Sequence, residues 1–431
     1  MRVAIVAFYF PPDGGAGTQR PAAWARYLAG HGIDATIYTR SIASDESRSR
    51  YEPRDESLVG WVSVAKVRRL EWKPGRAEAD RWRASVAEAI VEDHRAEPFD
   101  LVVVTAPPFE LVPFGGEVAR RLDRPLVVDL RDAWALDGIR PATHWFAHRR
   151  DLDLMRRSLG VASGLLTTSD AATRAVDRLL AGSVPIATVT NGFEPEDFSG
   201  AAPGPRGDRE FRITFAGQFL SWDAVPPRNL KERIRRFVQA RAVPIDPTGR
   251  SPLHVLEAIR RLRERDPELG RRIRFDFAGV VDSATATVIE RSGVADAVTA
   301  HGYLPHAEVI RRIREADALF IGLNGMPAGE EPLVIPGKLF EYLAARRPIL
   351  AALPPGDARR LVLAHADSVA VDPCDPEAIA RGIARIASGD LDSRQGGMGI
   401  ERFTRAALAG DVARFLKETL ERTRRARTIP S

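Results

Sequence analysis

Lys338 and Glu341 stand three residues apart just after the pair Pro336-Gly337, within EEPLVIPGKLFEYLAARRPIL at 330–350. Acidic residues precede that pair. After it Leu339, Phe340, Leu343 and Ala344 recur at helical spacing, and 348–350 begins an apolar run that reads as a buried strand. The unit is loop, helix, strand. A helix N-terminus offers unpaired N–H groups and partial positive charge, so Gly337 and Lys338 form a seat for phosphate. Glu341, one turn in, faces the same way and could take a sugar hydroxyl. The chemistry this permits is the grip of a nucleoside diphosphate. A helix packed on a sheet, carrying a solvated lysine and glutamate, would leave the same pattern.

A second stretch with chemical potential is FYFPPDGGAGTQR, where Gly14, Gly15 and Gly17 follow an apolar run at 2–7 and precede helical spacing through Ala23, Trp24, Tyr27 and Leu28. Glycines let a backbone approach a ligand without Cβ interference, and the next helix presents its N-terminus. The spacing is not the dinucleotide fingerprint, because the glycines lie too close together and no acidic residue ends the strand at 35–39. A tight turn would account for it equally. In DLRDAW at 129–134, Arg131 and Asp132 follow a buried strand; Asp132 is a candidate for a substrate hydroxyl or general base, or half of a structural Arg–Asp pair. Asn191 sits before Gly192 in a turn-like dipeptide. No histidine cluster has ligand spacing, and Asp151-Leu-Asp153 lies in a helical context, so no metal site is expected. His144 and His148, four apart in an Arg-rich helix, read as surface residues.

The elements that must position these groups are those of a two-domain soluble protein. At 431 residues the chain is too long for one ordinary core. Hydrophobic residues at 44% and charged residues at 28% are globular proportions. No stretch approaches the roughly 20 apolar residues that span a bilayer. The opening MRVAIVAFYF runs into Pro-Pro-Asp-Gly-Gly and reads as a first strand, not a leader. A single cysteine, Cys374, excludes an intramolecular disulfide framework, fits a reducing cytoplasm, and is expected to be structural. The net charge of +5 is spread along the chain and would attract phosphate-bearing partners, yet no zinc-finger, RNP or helix-turn-helix signature accompanies it.

Apolar runs at 2–7, 35–39, 101–105, 126–130, 164–168 and 187–190 alternate with helical periodicity, which predicts a parallel, doubly wound sheet. Residues 40–74, polar and charged, read as a surface excursion with a lid role open to it. Residues 196–210, rich in Pro, Gly and charge, read as the linker between a domain at 1–195 and one at 211–400. In the second, strands are expected at 211–216, 273–277, 298–301 and 318–323, with an insertion at 221–249. There Leu230, Ile234, Phe237 and Val238 share a helical face flanked by Arg228, Lys231, Arg233, Arg235, Arg236 and Arg241. Such a face normally packs on its own domain, and the alternative is an anionic membrane. A last helix at about 405–420 precedes a basic tail, and 401–431 is expected to pack back toward the first domain.

The landmarks FYFPPDGGAGTQR, DLRDAW, Thr190-Asn191-Gly192, Phe215-Ala216-Gly217 and PGKLFEYLAARRPIL occur in this order along nearly the whole chain. Together they resemble the GT-B glycosyltransferases, and glycosyltransferase family 4 in particular. The resemblance implies two Rossmann-like domains facing a central cleft, an acceptor-binding first domain, and a donor-binding second domain with a nucleoside-diphosphate sugar as substrate and no cofactor. It places Glu341 on the donor ribose. The family's partner glutamate, eight positions earlier, falls at Leu333, so Glu330 or Glu331 would substitute, Glu331 as a catalytic candidate. Where the family has a basic residue after its Phe-x-Gly strand this chain has Gln218 and Phe219, and Arg250, beyond the insertion, is expected to join Lys338 on the diphosphate. Gly217, Gly337 and Leu339 complete the expected donor set, and Gly14, Gly15, Gly17 and Asn191 the phosphate or acceptor loop. Retention at the anomeric carbon by front-face attack, without a metal, is the implied mechanism.

Two other classes stay open on the same residues. A nucleotide-sugar epimerase shares the scaffold, as does a phosphorylase, although nothing specifies a pyridoxal-phosphate lysine. A basic nucleic-acid-binding protein is the non-enzyme reading, with no nucleic-acid partner expected. The acceptor is expected in polysaccharide or lipid-linked biosynthesis first and among small secondary metabolites second. The expected location is cytoplasmic, with peripheral contact at the inner membrane face through 221–249 or the tail.

Overall fold

The computed structural model describes residues 1–42, 54–139, 141–200, 210–227, 229–364, 367–391 and 399–428. The chain divides into two compact units: Met1–Leu136 with Arg150–Asn191 and Phe403–Ser431, and Asp137–Arg149 with Gly192–Arg402.

The first unit is built on strands β1 (Arg2–Ala7), β2 (Asp34–Ile42), β3 (Lys66–Trp72), β4 (Leu101–Ala106), β5 (Leu126–Leu130), β6 (Gly164–Thr167) and β7 (Ile186–Thr188). They form one parallel sheet in the order β3-β2-β1-β4-β5-β6-β7. Apolar runs such as LVVVTA in β4 are buried throughout because helices cover both faces. Successive residues alternate sides, so Val102 and Val104 enter one core with Trp82 and Leu126 while Leu101 and Val103 enter the other with Trp24 and Phe415. Phe415 comes from the C-terminal helix Arg405–Thr428, which closes that second face. The helix continues through much of the stretch read as a basic tail, where Arg424 bonds Asp100 and Arg427 bonds Asp123.

The stretch at 40–74 is not merely a surface excursion. β2 continues to Ile42, and β3 pairs with it in parallel from Thr36↔Lys66 to Ile42↔Trp72. β3 was hidden by its edge position: Lys66, Arg68, Arg69 and Glu71 are charges of the kind that blunt an exposed sheet edge, while Leu70 and Trp72 reach the core. The intervening residues 43–53, on which the lid reading falls, lie outside the described residues.

The second unit holds β8 (Phe211–Ala216), β9 (Ile273–Ala278), β10 (Val298–Gly302), β11 (Ala318–Gly322), β12 (Ile349–Ala352) and β13 (Ser368–Val371), again all parallel, in the order β10-β9-β8-β11-β12-β13. A phenylalanine cluster, Phe215, Phe219, Phe275, Phe277 and Phe320, fills its centre, with Phe215 stacked on Phe219 at 3.9 Å. Both units are therefore doubly wound parallel α/β sheets, as the alternating pattern predicts. In each, strand order reverses beside the first strand, between β1 and β4 and between β8 and β11. That reversal opens a crevice beyond the carboxyl ends of the strands, which places the loops after β1, β4, β8 and β11 where ligands bind in such sheets.

Candidate active site

In the second unit the loop after β8 and the helix after β11 meet at this switch point. Gly217, first residue past β8, has φ of 121°, a conformation that L side chains rarely adopt. A Cβ there would also stand 2.5 Å from Lys338 Nζ, so a side chain at this position would move the ammonium as well as strain the backbone. Lys338 begins the helix Lys338–Ala345, with Gly337 at its N-cap making no side-chain cap bond. From there Lys338 Nζ lies 3.7 Å from the centre of the Phe215 ring, a cation–π contact that aims the ammonium across the crevice at Gly217.

Burial pushes the Lys338 ammonium down to about 7; the Arg250 guanidinium repels it in the same direction, and Glu341 pulls the other way. Glu341 is buried in the helix's first turn. Next to it the Tyr342 hydroxyl accepts the Ala216 N–H at 2.9 Å, fixing helix to strand end, and burial drives that phenol well above its ordinary range.

Arg250 arrives from a separate direction. It ends the short turn Pro247–Arg250, which is pinned above β11: Asp246 and Gly325 exchange two backbone hydrogen bonds of 2.8 Å, and a Cβ on Gly249 would meet the Leu323 carbonyl at 2.4 Å. Thr248 Oγ1 donates to Asp246 at 2.6 Å and lies 2.9 Å from His254 Nε2, so side chains as well as backbone fix the turn. Cys374 sits half-buried against it, its thiol pushed up to about 12 by burial and the Asp246 carboxylate, a structural environment. Thus Lys338, Gly337, Glu341, Gly217 and Arg250 gather at one strand-end crevice, with Leu339 buried beneath. Glu330 is exposed, and Glu331 accepts from Arg360 Nη2 at 3.3 Å. Phe219, where the family pattern has a basic residue, is part of the core.

In the first unit the glycine loop leads into the helix Ala16–Tyr27, with Gly15 exposed at its N-cap and φ of 89°. Gly14 is buried, and a Cβ on Gly17 would come within 2.7 Å of Arg131 Nη1. Arg131 donates to the carbonyl oxygens of Gly17 at 2.7 Å and Pro107 at 2.6 Å, tying together the loops after β1, β4 and β5. Burial lowers its pKa, and Asp132 and Asp129 counter the shift. Asp132 is half-buried beside it; Asn191 is half-buried at the end of the unit.

What the sequence reading missed here is a buried pair. Arg20 Nη2 and Asp129 Oδ1 are 2.8 Å apart, Thr105 Oγ1 donates to Asp129 at 2.8 Å, and Arg20 Nη1 reaches the carbonyl oxygens of Val189 and Thr190 at 2.8 and 2.9 Å. The available signal was a carboxylate inside the otherwise apolar strand LVVDL, since a charge buried there requires a partner.

Fold and site together define a double Rossmann-like protein with a cationic, helix-capped crevice in its second half. Family models match on both halves: a glycosyl transferase 4-like domain over residues 14–192 and a glycosyl transferases group 1 domain over residues 250–388. The chain belongs to this glycosyltransferase family. Similar solved structures include sucrose-phosphate synthase from Thermosynechococcus elongatus, at 15% identity and TM-score 0.63 over 97% of this chain and 98% of that one. HepE of Anabaena in complex with UDP-glucose gives 13% identity and 0.62 over 97% and 100%. UDP-GlcNAc 2-epimerase from Methanocaldococcus jannaschii gives 13% and 0.54 over 97% and 100%. A sequence search of curated proteins gave no match.

Proposed function

We propose that the protein is a retaining, metal-independent glycosyltransferase that moves a sugar from a nucleoside-diphosphate sugar to a hydroxyl or amine acceptor. The observation that carries this reading is the convergence of Lys338 and Arg250, with the Gly337 helix end, on one strand-end crevice. Breaking the glycosidic bond leaves negative charge on the departing diphosphate. Fixed cations and helix N–H groups stabilise that charge where it develops. Glu341, one turn into the same helix, takes the ribose hydroxyls. In the first unit, the glycine loop at Gly14, Gly15 and Gly17, with Asn191 and Asp132, would receive the acceptor, Asp132 as hydroxyl ligand or base. Glu330 and Glu331 are the nearest carboxylates to the family's missing glutamate. The relation of HepE to UDP-glucose supports a nucleotide-sugar donor for this chain too.

The acceptor class we favour is a polysaccharide or lipid-linked intermediate met on the cytoplasmic side of a membrane. The test is calorimetry with UDP-, GDP- and dTDP-sugars on the wild type, Lys338→Ala and Glu341→Ala. One donor should bind, and each substitution should weaken it at least tenfold while the protein remains folded; unchanged affinity in both would reject the site. Proton NMR of the product should show the donor's anomeric configuration. Conversion of the sugar without any acceptor would instead identify an epimerase.

A further inference from the structure

The helix Leu230–Val238 is built inside out. Its sequence LKERIRRFV gathers Leu230, Ile234, Phe237 and Val238 on one face, and packing of that face on its own domain is the normal outcome. The structure turns the opposite face inward. Glu232 and Arg236 are half-buried and bonded at 2.9 Å, and Arg236 reaches the carbonyl oxygens of Val225 and Trp222 at 2.9 and 2.7 Å. The apolar side is left to solvent: Phe237 is 90% exposed, Leu230 69%, Ile234 54% and Val238 48%. Polar bonds thus hold the helix and fix the direction in which its apolar face points.

That face does not stand alone. Ala240, two residues beyond Val238, exchanges backbone hydrogen bonds of 2.8 and 3.1 Å with Ala142. Three and four residues past Ala142 are Trp145 and Phe146, which stack at 4.2 Å between ring centres and are 54% and 66% exposed. Arg241 reinforces the junction through the carbonyl oxygens of Gly138 and Ile139. The second unit therefore presents two exposed apolar elements tied at one bridge, more than the scattered single residues normal for a protein surface.

The flanking charge selects the occupant. Lys231 and Arg233 are exposed on the helix and Arg149 beside the aromatic pair, whereas Glu232 is turned inward, where it pairs with Arg236 and, at 3.6 Å, with the exposed Arg235. A second copy of the chain meeting this face symmetrically would bring two copies of the same basic cluster, Lys231 and Arg233, against one patch. A bilayer with anionic headgroups satisfies every part: leucine, isoleucine and phenylalanine enter the acyl boundary, tryptophan lies at the interface, and the cations rest at phosphate depth. We propose that this face docks the protein on an anionic lipid surface. The C-terminal arginines are a poorer anchor, because Arg424 and Arg427 already pair with Asp100 and Asp123.

Vesicle flotation of the full-length protein tests this, with phosphatidylcholine vesicles made with and without phosphatidylglycerol. The wild type should float with the anionic vesicles only, and salt should release it. Ile234→Ser/Phe237→Ser should abolish flotation. Lys231→Gln/Arg233→Gln should weaken it roughly twenty-five-fold, at about fivefold per charge. These side chains are exposed, so the thermal midpoint should not move, and nucleotide-sugar binding, measured separately, should stay at the wild-type level whether or not the lipid surface is used. The proposal falls if the wild type floats with neither vesicle or with both alike, or if the variants float like the wild type. It also falls if sedimentation velocity finds a dimer that Phe237→Ser dissociates while vesicles bind nothing.

Discussion

The two units treat their cations differently. In the first, three of them end on fixed acceptors: Arg20 on Asp129, Arg40 on Asp13, Arg131 on the carbonyl oxygens of Gly17 and Pro107. In the second, Lys338 rests on an aromatic face with a like charge, Arg250, working against it, and Glu341 offsets that repulsion incompletely. A cation satisfied by its own fold holds loops in place. A cation held against repulsion has capacity left for an incoming anion, which is why we propose the Lys338 crevice as the diphosphate site, while the first unit's network frames the loops around it.

The largest expected effect comes from breaking the first unit's arrangement. Arg20→Met leaves Asp129 charged and buried, and should lower stability by about 3–5 kcal/mol in chemical denaturation. Adding Asp129→Leu and Thr105→Val should recover much of that loss, because the uncompensated charge and its stranded donor are then gone. Recovery would confirm a structural pair; a triple variant as unstable as the single would mean the charges serve something else. Gly217→Ala sharpens the other side. Strain at positive φ costs of the order of 1–3 kcal/mol, and the new methyl displaces Lys338 Nζ. Donor affinity should therefore fall by more than stability does, and equal losses in both would dissociate Gly217 from the site.

The third effect is on pH dependence, and it is smallest where only one pH unit is compared. The folded value of Lys338, about 7, lies below its ordinary 10.5, so between these the unfolded chain holds more protons. Stability then rises with pH from about 7 towards 10.5, and the penalty is complete below 7. Lys338→Met should remove that slope. A bound diphosphate would restore the proton, so above pH 7 binding should take up a proton and weaken by up to about tenfold per pH unit. Calorimetric enthalpies in buffers of differing ionisation heat measure this uptake, which should vanish in Lys338→Met.

Much of this site was legible before any coordinates. The change of pattern at Pro336-Gly337 marked the helix start, and Lys338 and Glu341 took their places from helical spacing alone. The restart of the pattern at β8 placed Gly217 at a strand end. Arg250 was reachable only through family resemblance, because the insertion at 221–249 separates it in sequence from the strand it serves. β3 was lost because edge charges overwrite its apolar alternation, and the Arg20–Asp129 pair because its members are 109 residues apart.

The sequence by itself determined the two parallel sheets, their cores and the helix end at Gly337, since apolar periodicity and glycine conformations are local properties. Tertiary structure alone decided which charges are matched and which face of an amphipathic helix turns inward. Leu230–Val238 has an apolar stripe whose normal fate is burial, and the polar bonds of its other face, those of Arg236 to Val225 and Trp222 among them, reverse it. Periodicity fixes the angle between the two faces of a helix, and contacts far away in sequence choose which of them meets the protein.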